Sequence, residues 1–156
     1  MPVKKLKDFL DKNNIQYVTC IHSTAYTSQQ IAASAHIPGK DLAKTVMVKL
    51  DEKMVMAVLP ASYRVDLEKL KKVAGAQKAA LASEEEFKDM FPDCEVGAMP
   101  PFGNLYNMPV YVAKSLAEDD EIAFNAGSHR ELIKLDYKDF EQLVKPKKAA
   151  FSVKAV

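Results

Sequence analysis

The segment Gly97-Ala98-Met99-Pro100-Pro101-Phe102-Gly103 is the most strongly constrained stretch of this chain. Its two consecutive prolines hold φ near about −65° and remove two N–H donors, so neither a helix interior nor a central strand can run through positions 100 and 101. The flanking Gly97 and Gly103 permit backbone angles and close approaches denied to residues with a Cβ. The segment must therefore be a stiff loop that carries almost no reactive side chain. Its free N–H and C=O groups can be turned toward a ligand, and Phe102 can either wall an apolar pocket or anchor the loop. The plainer alternative is a proline-stiffened turn that binds nothing.

The rest of the chain reads as short elements placed around that loop. Val3, Leu6, Phe9 and Leu10 recur at helical spacing up to Asn13-Asn14. Residues 15–22 alternate as a strand, and Thr27 with Gln30 offers a capping box for a short helix before Pro38-Gly39 breaks the chain. A hairpin follows, with arms Thr45–Leu50 and Met54–Leu59 and a reversal at Asp51-Glu52-Lys53. Asp66 caps a helix buried through Leu67, Leu70 and Val73, and residues 78–82 form a short strand. Ser83 and Glu86 form a second capping box, with Phe87, Met90 and Phe91 turned inward. Beyond the Pro100-Pro101 loop, Val110-Tyr111-Val112, Ile122-Ala123-Phe124 and residues 132–135 read as strands, and Asp136 caps a last helix through Val144. The expectation is an α+β fold, a mixed sheet or partly closed β-barrel with helices packed outside. A single domain spans residues 1–144, and residues 145–156, with little periodicity, are expected to be a flexible tail.

Composition restricts the function classes. With 156 residues and 22 basic against 21 acidic side chains, the net charge of +1 gives no global field for a long polyanion. Any nucleic-acid contact must be local, at patches such as Lys4, Lys5 and Lys7, or Lys69, Lys71 and Lys72, or Lys145, Lys147 and Lys148. Two cysteines, Cys20 and Cys94, exclude a disulfide framework and a four-thiolate zinc site and suit a reducing compartment. The first residues lack the apolar core of a signal peptide, and no apolar run approaches the ~18 residues needed to cross a bilayer. These features set the expectation of a cytoplasmic protein that does not engage a membrane.

Two further segments join the loop. Lys44-Thr45 precedes the alternating run Val46-Met47-Val48-Lys49-Leu50, and Asn125-Ala126-Gly127-Ser128-His129-Arg130 stands between two strand-like runs. In this order and at these intervals, from about His22 to Leu143, the three segments resemble the YbaK family of aminoacyl-tRNA deacylases, which includes the editing domain inserted into bacterial prolyl-tRNA synthetases. The resemblance implies the same α+β fold and hydrolysis of the ester of a mischarged tRNA, with a small amino acid as the expected cargo. It implies as partners the acceptor end of aminoacyl-tRNA and an aminoacyl-tRNA synthetase. No cofactor or metal is called for.

The chemistry suits so lean a site. The ester joining an amino acid to ribose is already activated toward water, so hydrolysis needs placement more than a strong nucleophile. A loop of fixed amide and carbonyl groups can orient the water and stabilise the oxyanion, with Gly103 as the leading backbone contributor, Gly97 permitting the turn, and Pro100, Pro101 and Phe102 stiffening its far side. Read alone, Lys44 at the entrance to a strand is a solvated charge, or a clamp for a phosphate or ester oxygen. The resemblance makes it the most important side chain for deacylation, protonated near neutral pH, with Thr45 lining the pocket beside it. His129 can titrate, ligate metal or shape a cavity. The resemblance puts its turn at the amino-acid pocket, which assigns it to substrate discrimination first and acid–base assistance second, with Gly127 supplying the turn and Ser128 a hydrogen bond. The resemblance also makes His22 and Tyr26 pocket residues near the substrate entrance.

Three other chemistries compete. Ser128 and His129 are adjacent, and neighbours in an extended segment point to opposite faces, so they do not form a nucleophile–base pair. Cys20 and His22 with His129 would be a zinc set without a recognised metal spacing. A noncatalytic module that binds RNA ends or another protein with the same fold is the main alternative. Thr45 replaces the asparagine common in alanine-selective relatives, and Ser128-His129 stands where cysteine-tRNA deacylases often carry glycine and lysine, so neither specificity transfers.

Overall fold

A computed structural model describes residues 4–21, 42–91, 94, 98–128 and 130–154. Each element follows from a local cause. In the helix Lys4–Lys12, Leu6 and Leu10 lie four residues apart and are buried while the lysines face water. Strand β1 (Tyr17–Ile21) follows it. Strands β2 (Leu42–Leu50) and β3 (Lys53–Pro60) pair antiparallel across a two-residue turn, where Asp51 and Glu52 both adopt positive φ. That backbone twist matches the twist of the arms, and the Asp51 carboxylate offsets its strain by accepting from the Gln77 and Lys78 N–H groups. After β4 (Tyr63–Val65), Asp66 caps the helix Leu67–Ala74 by accepting from the Glu68 and Lys69 N–H groups.

Strand β5 (Ala79–Leu81) leads to Ser83, whose N–H donates to Glu86 at the start of the short helix Glu84–Phe87. Lys49 pairs with the same carboxylate at 2.6 Å. A 3₁₀ turn at Lys88–Met90 then ends the helical spacing, so Met90 is 43% exposed rather than turned inward with Phe87 and Phe91. Strands β6 (Val110–Ala113), β7 (Glu121–Ser128) and β8 (Glu131–Asp136) and the helix Tyr137–Val144 complete the expected elements, and the short helix Lys114–Ala117 is one the sequence did not announce. Asp136 stands at the N-cap of the last helix without a side-chain capping bond.

The described residues 145–154 do not form a tail. Lys147–Ala149 forms β9, parallel to β6, and Ser152–Lys154 forms β10, antiparallel to β4. The expectation of flexibility is corrected by two buried side chains: Ala149 is 4% and Phe151 0% exposed. The Phe151 carbonyl also accepts from the Asp66 N–H at 2.6 Å, tying the segment to the cap of the helix Leu67–Ala74.

The main sheet runs β1-β8-β7-β2-β3-β6-β9, with β5 added to β2, and mixes antiparallel with parallel pairs. It curls into a half-barrel with five helices among the described residues. One face carries Ala43, Met47, Met56, Val58 and Phe124 against Leu6, Leu10, Phe102 and Phe140. The other carries Val48, Val55, Ala57 and Leu59 against Leu70 and Phe151. Helices therefore close both faces, and the strand ends and edges are left for binding.

Candidate functional site

Strand β2 runs through the middle of the sheet, and its two ends use different neighbours. Along one edge Leu42 and Ala43 pair with Ala123 and Phe124 of β7, whereas Val48, Lys49 and Leu50 pair with β5. Among the described residues no ladder covers Lys44 to Val46 on that edge, which leaves an opening between β7 and β5; the Met47 carbonyl already accepts from the Ala82 N–H at 2.9 Å. Lys44 lies inside this opening, not at the entrance to the strand as the sequence led us to expect; its opposite edge is held by Leu59. Half-burial pushes the Lys44 ammonium below its ordinary pKa, because leaving water penalises the charged form. Alternation places Thr45 with Ala43 and Met47 on one face and Lys44 with Val46 and Val48 on the other. The two side chains thus point apart, which does not fit a Thr45 side chain lining a pocket beside Lys44.

The loop and the late turn meet at the main chain. The Gly127 N–H donates to the Ala98 carbonyl oxygen at 2.8 Å, and Gly127 has φ of 96°, a conformation that a side chain disfavours. Here β7 departs from regular pairing: Asn125 still faces Leu132 of β8, but the register shifts before Ser128 meets Glu131. The bulge turns the strand end toward the loop. Ser128 Oγ accepts from the Arg130 N–H at 3.1 Å, so this oxygen helps close the turn. Asn125, absent from the sequence-based site, is 9% exposed, and its Oδ1 has no hydrogen-bond partner. A single Asn in a strand of apolar neighbours was the signal that could have found it.

Pro100, Pro101 and Gly103 are buried, and the Phe102 ring packs among Phe9, Phe124 and Phe140 at centroid distances of 6.2, 5.5 and 5.6 Å. Of its two roles, Phe102 takes that of anchor. A methyl group on Gly103 would stand 2.6 Å from both the Met108 carbonyl oxygen and Val110 Cγ2, so close packing alone demands glycine there. The Gly103 carbonyl accepts from the Asn107 and Met108 N–H groups within the turn Gly103–Tyr106 and beyond it. Any main-chain contribution of this residue to an ester must therefore come from its N–H.

His22, Tyr26, Gly97 and His129 lie outside the described residues, as do the Thr27–Gln30 capping box and the Pro38-Gly39 break. Among the described residues no group of three or more His, Cys, Asp or Glu side chains is placed to hold a metal ion. No described helix is long and apolar enough to cross a membrane. Cavities of about 360, 320 and 300 Å³ lie elsewhere, beside Tyr137, Tyr111 and Arg64 respectively. Neither Lys44 nor any described residue of the loop or the late turn lines them. The helix Lys4–Lys12 contributes Lys7, paired at 2.7 Å with Glu131 at the start of β8, and Lys5, over the Tyr106 ring at 4.6 Å.

The family model of an aminoacyl-tRNA editing domain matches residues 22–143. Over 75 residues, 48% of the chain, the sequence is 35% identical to a proline–tRNA ligase of Bacillus cereus (strain AH187), and an equal match is found to proline–tRNA ligase 1 of Bacillus thuringiensis subsp. konkukian (strain 97-27). The matched segment is 13% of the length of those ligases. Among solved structures, hypothetical protein APE2540 superposes with a TM-score of 0.86 at 18% identity, covering 96% of this chain and 100% of its own. A protein described as a candidate trans-editing enzyme for prolyl tRNA synthetase superposes with a TM-score of 0.82 at 19% identity, covering 97% of each chain. At such identities these two structures speak for the fold alone.

Proposed function

Because the chain belongs to the aminoacyl-tRNA editing domain family, we propose that it is a trans-editing deacylase that hydrolyses the ester of a mischarged tRNA carrying a small amino acid. The observation that carries this reading is the hydrogen bond from Gly127 to Ala98, which joins the proline-stiffened loop to the late turn beside the strand bearing Lys44. Two contacts support it: β2 pairs with β7 just before Lys44, and the far end of β7 is bonded to the loop.

The reaction follows from what such an opening offers. Water attacks the ester carbonyl carbon, the bond to the ribose oxygen breaks, and that oxygen leaves with a proton, giving free amino acid and a tRNA with its terminal hydroxyl restored. Main-chain N–H groups of the loop stabilise the oxyanion, and the half-buried Lys44 ammonium draws the ester or a phosphate oxygen into place. Gly97, Pro100, Pro101 and Phe102 hold the loop in shape, and Gly127 and Ser128 shape the turn. His22 and Tyr26 border the entrance. His129 acts chiefly on the choice of amino acid. The tRNA acceptor end and a synthetase, that for proline first, are the proposed partners, in the cytoplasm.

The test is release of free amino acid from a panel of charged tRNAs by the purified protein, with folding verified by circular dichroism. Release from at least one mischarged tRNA is expected. Binding without release across the whole panel would leave a noncatalytic RNA-end module instead. His129→Ala, compared over several aminoacyl groups on one tRNA, should alter relative rates; a uniform loss would give His129 a general role in catalysis or support.

A further inference from the structure

We propose that Asn125 is a substrate-positioning residue whose Oδ1 accepts a hydrogen bond from a donor on the aminoacyl-ribose end of the substrate; the assignment rests on the deacylase reading above. Asn125 is the one polar side chain among the described buried residues that is not ionisable or aromatic, and it is 9% exposed with an unpartnered Oδ1. Native interiors rarely keep a buried amide oxygen without a donor, because desolvation is then uncompensated. An orphan of this kind is explained most simply by a ligand that completes it.

Its place in the sheet says which ligand. Ala43 is in parallel register with Phe124, the last pair of that ladder, so Lys44 and Asn125 are the first positions beyond it and, by strand alternation, project to the same face. Lys44 does not fill the vacancy, since Oδ1 has no partner. The pair therefore sets a half-buried cationic donor and a buried, unpartnered neutral acceptor on neighbouring strands just past the end of the β2–β7 ladder. An aminoacyl ester presents the complementary pattern: a carbonyl oxygen that accepts, flanked by two donors, the vicinal ribose hydroxyl on one side and the α-amine on the other. The Gly127–Ala98 bond two residues along holds the bulged strand end and so fixes the Asn125 backbone.

The experiment compares wild type and Asn125→Ala on three substrates: an ordinary mischarged tRNA, the same tRNA ending in 2′-deoxyadenosine, and the same tRNA carrying the desamino acyl group, in which hydrogen replaces the α-amine. On the ordinary substrate the variant should lose roughly ten- to a hundredfold in kcat/KM, as expected for a buried hydrogen bond left unmade. That penalty should vanish on whichever substrate lacks the donor, which also identifies the donor as hydroxyl or amine. A merely structural role would lower all three rates by one factor, and that result, like an absence of loss, overturns the assignment. Should the alanine variant fail to fold, Asn125→Ser, which keeps a polar atom but shortens its reach, carries the same comparison. An inactive wild type would refute the deacylase reading and this assignment with it, whereas an active wild type with indifferent Asn125 variants refutes this assignment alone.

Discussion

The Gly127 N–H donates a 2.8 Å hydrogen bond to the Ala98 carbonyl oxygen, and this contact turns two separate sequence motifs into one wall. Gly127 is suited to it because its φ of 96° is open to glycine and strained for other residues. Gly127→Ala should therefore destabilise the fold by about 1–2 kcal/mol and lower deacylation through displacement of the loop. Urea unfolding with an activity assay checks both. An unchanged midpoint with full activity would show that the bond does not hold the site.

Lys44→Ala should lower kcat/KM for deacylation by about a hundredfold, the scale of losing one electrostatic stabiliser. The midpoint of thermal unfolding should move little, since Lys44 is only half-buried and burial already disfavours its charge. Equal turnover by variant and wild type would remove Lys44 from the chemistry.

The pH dependence of Lys44 has a definite sign. Its native pKa lies below the ordinary 10.5, so between that lowered value and 10.5 the unfolded chain binds more protons and stability from this group rises with pH. Catalysis should fall over the same window as the ammonium is lost, after subtraction of uncatalysed ester hydrolysis. Lys44→Met should abolish this stability rise, which pH-resolved unfolding can measure.

Tyr137 gives the opposite alkaline behaviour. Burial, aided by Glu141, pushes its phenol up to about 12, so the neutral form stabilises the fold fully below 10 and that stability is lost as pH rises from 10 through 12. Its hydroxyl is buried without a partner. Tyr137→Phe should thus be neutral or stabilising at pH 7 and should weaken the alkaline loss, as read by thermal unfolding at pH 8 and pH 11. A marked destabilisation at pH 7 would mean that the hydroxyl has a role in the native fold.

The C-terminal strands are part of the core. Phe151→Ala should cost about 3–5 kcal/mol, the usual range for emptying a buried phenylalanine site, and removal of residues 145–156 at least as much. Denaturant unfolding checks both, and a truncated chain of wild-type stability would refute the structural role of β9 and β10.

Much of the architecture was legible in the sequence because it is local. The helix Lys4–Lys12 follows from the spacing of Leu6 and Leu10, the helix Leu67–Ala74 from the Asp66 cap, and the β2–β3 hairpin from alternation on either side of Asp51-Glu52. The three motifs that resemble an editing domain were likewise written in the order of residues. What only the tertiary structure decided depends on contacts between distant segments. The parallel pairing of Leu42 with Ala123 makes Lys44 an interior position, and splitting one edge of β2 between β7 and β5 creates the opening. Strands of three residues such as β9 and β10 are too short to show a period, so their order comes from burying Ala149 and Phe151. Close packing likewise explains Gly103, whose neighbours Met108 and Val110 leave no space for a methyl group, and only the assembled sheet shows that the Asn125 oxygen is buried without a partner. Periodicity and capping act within a few residues and can be read along the chain, whereas burial, register and cross-chain hydrogen bonds exist only once the sheet has assembled.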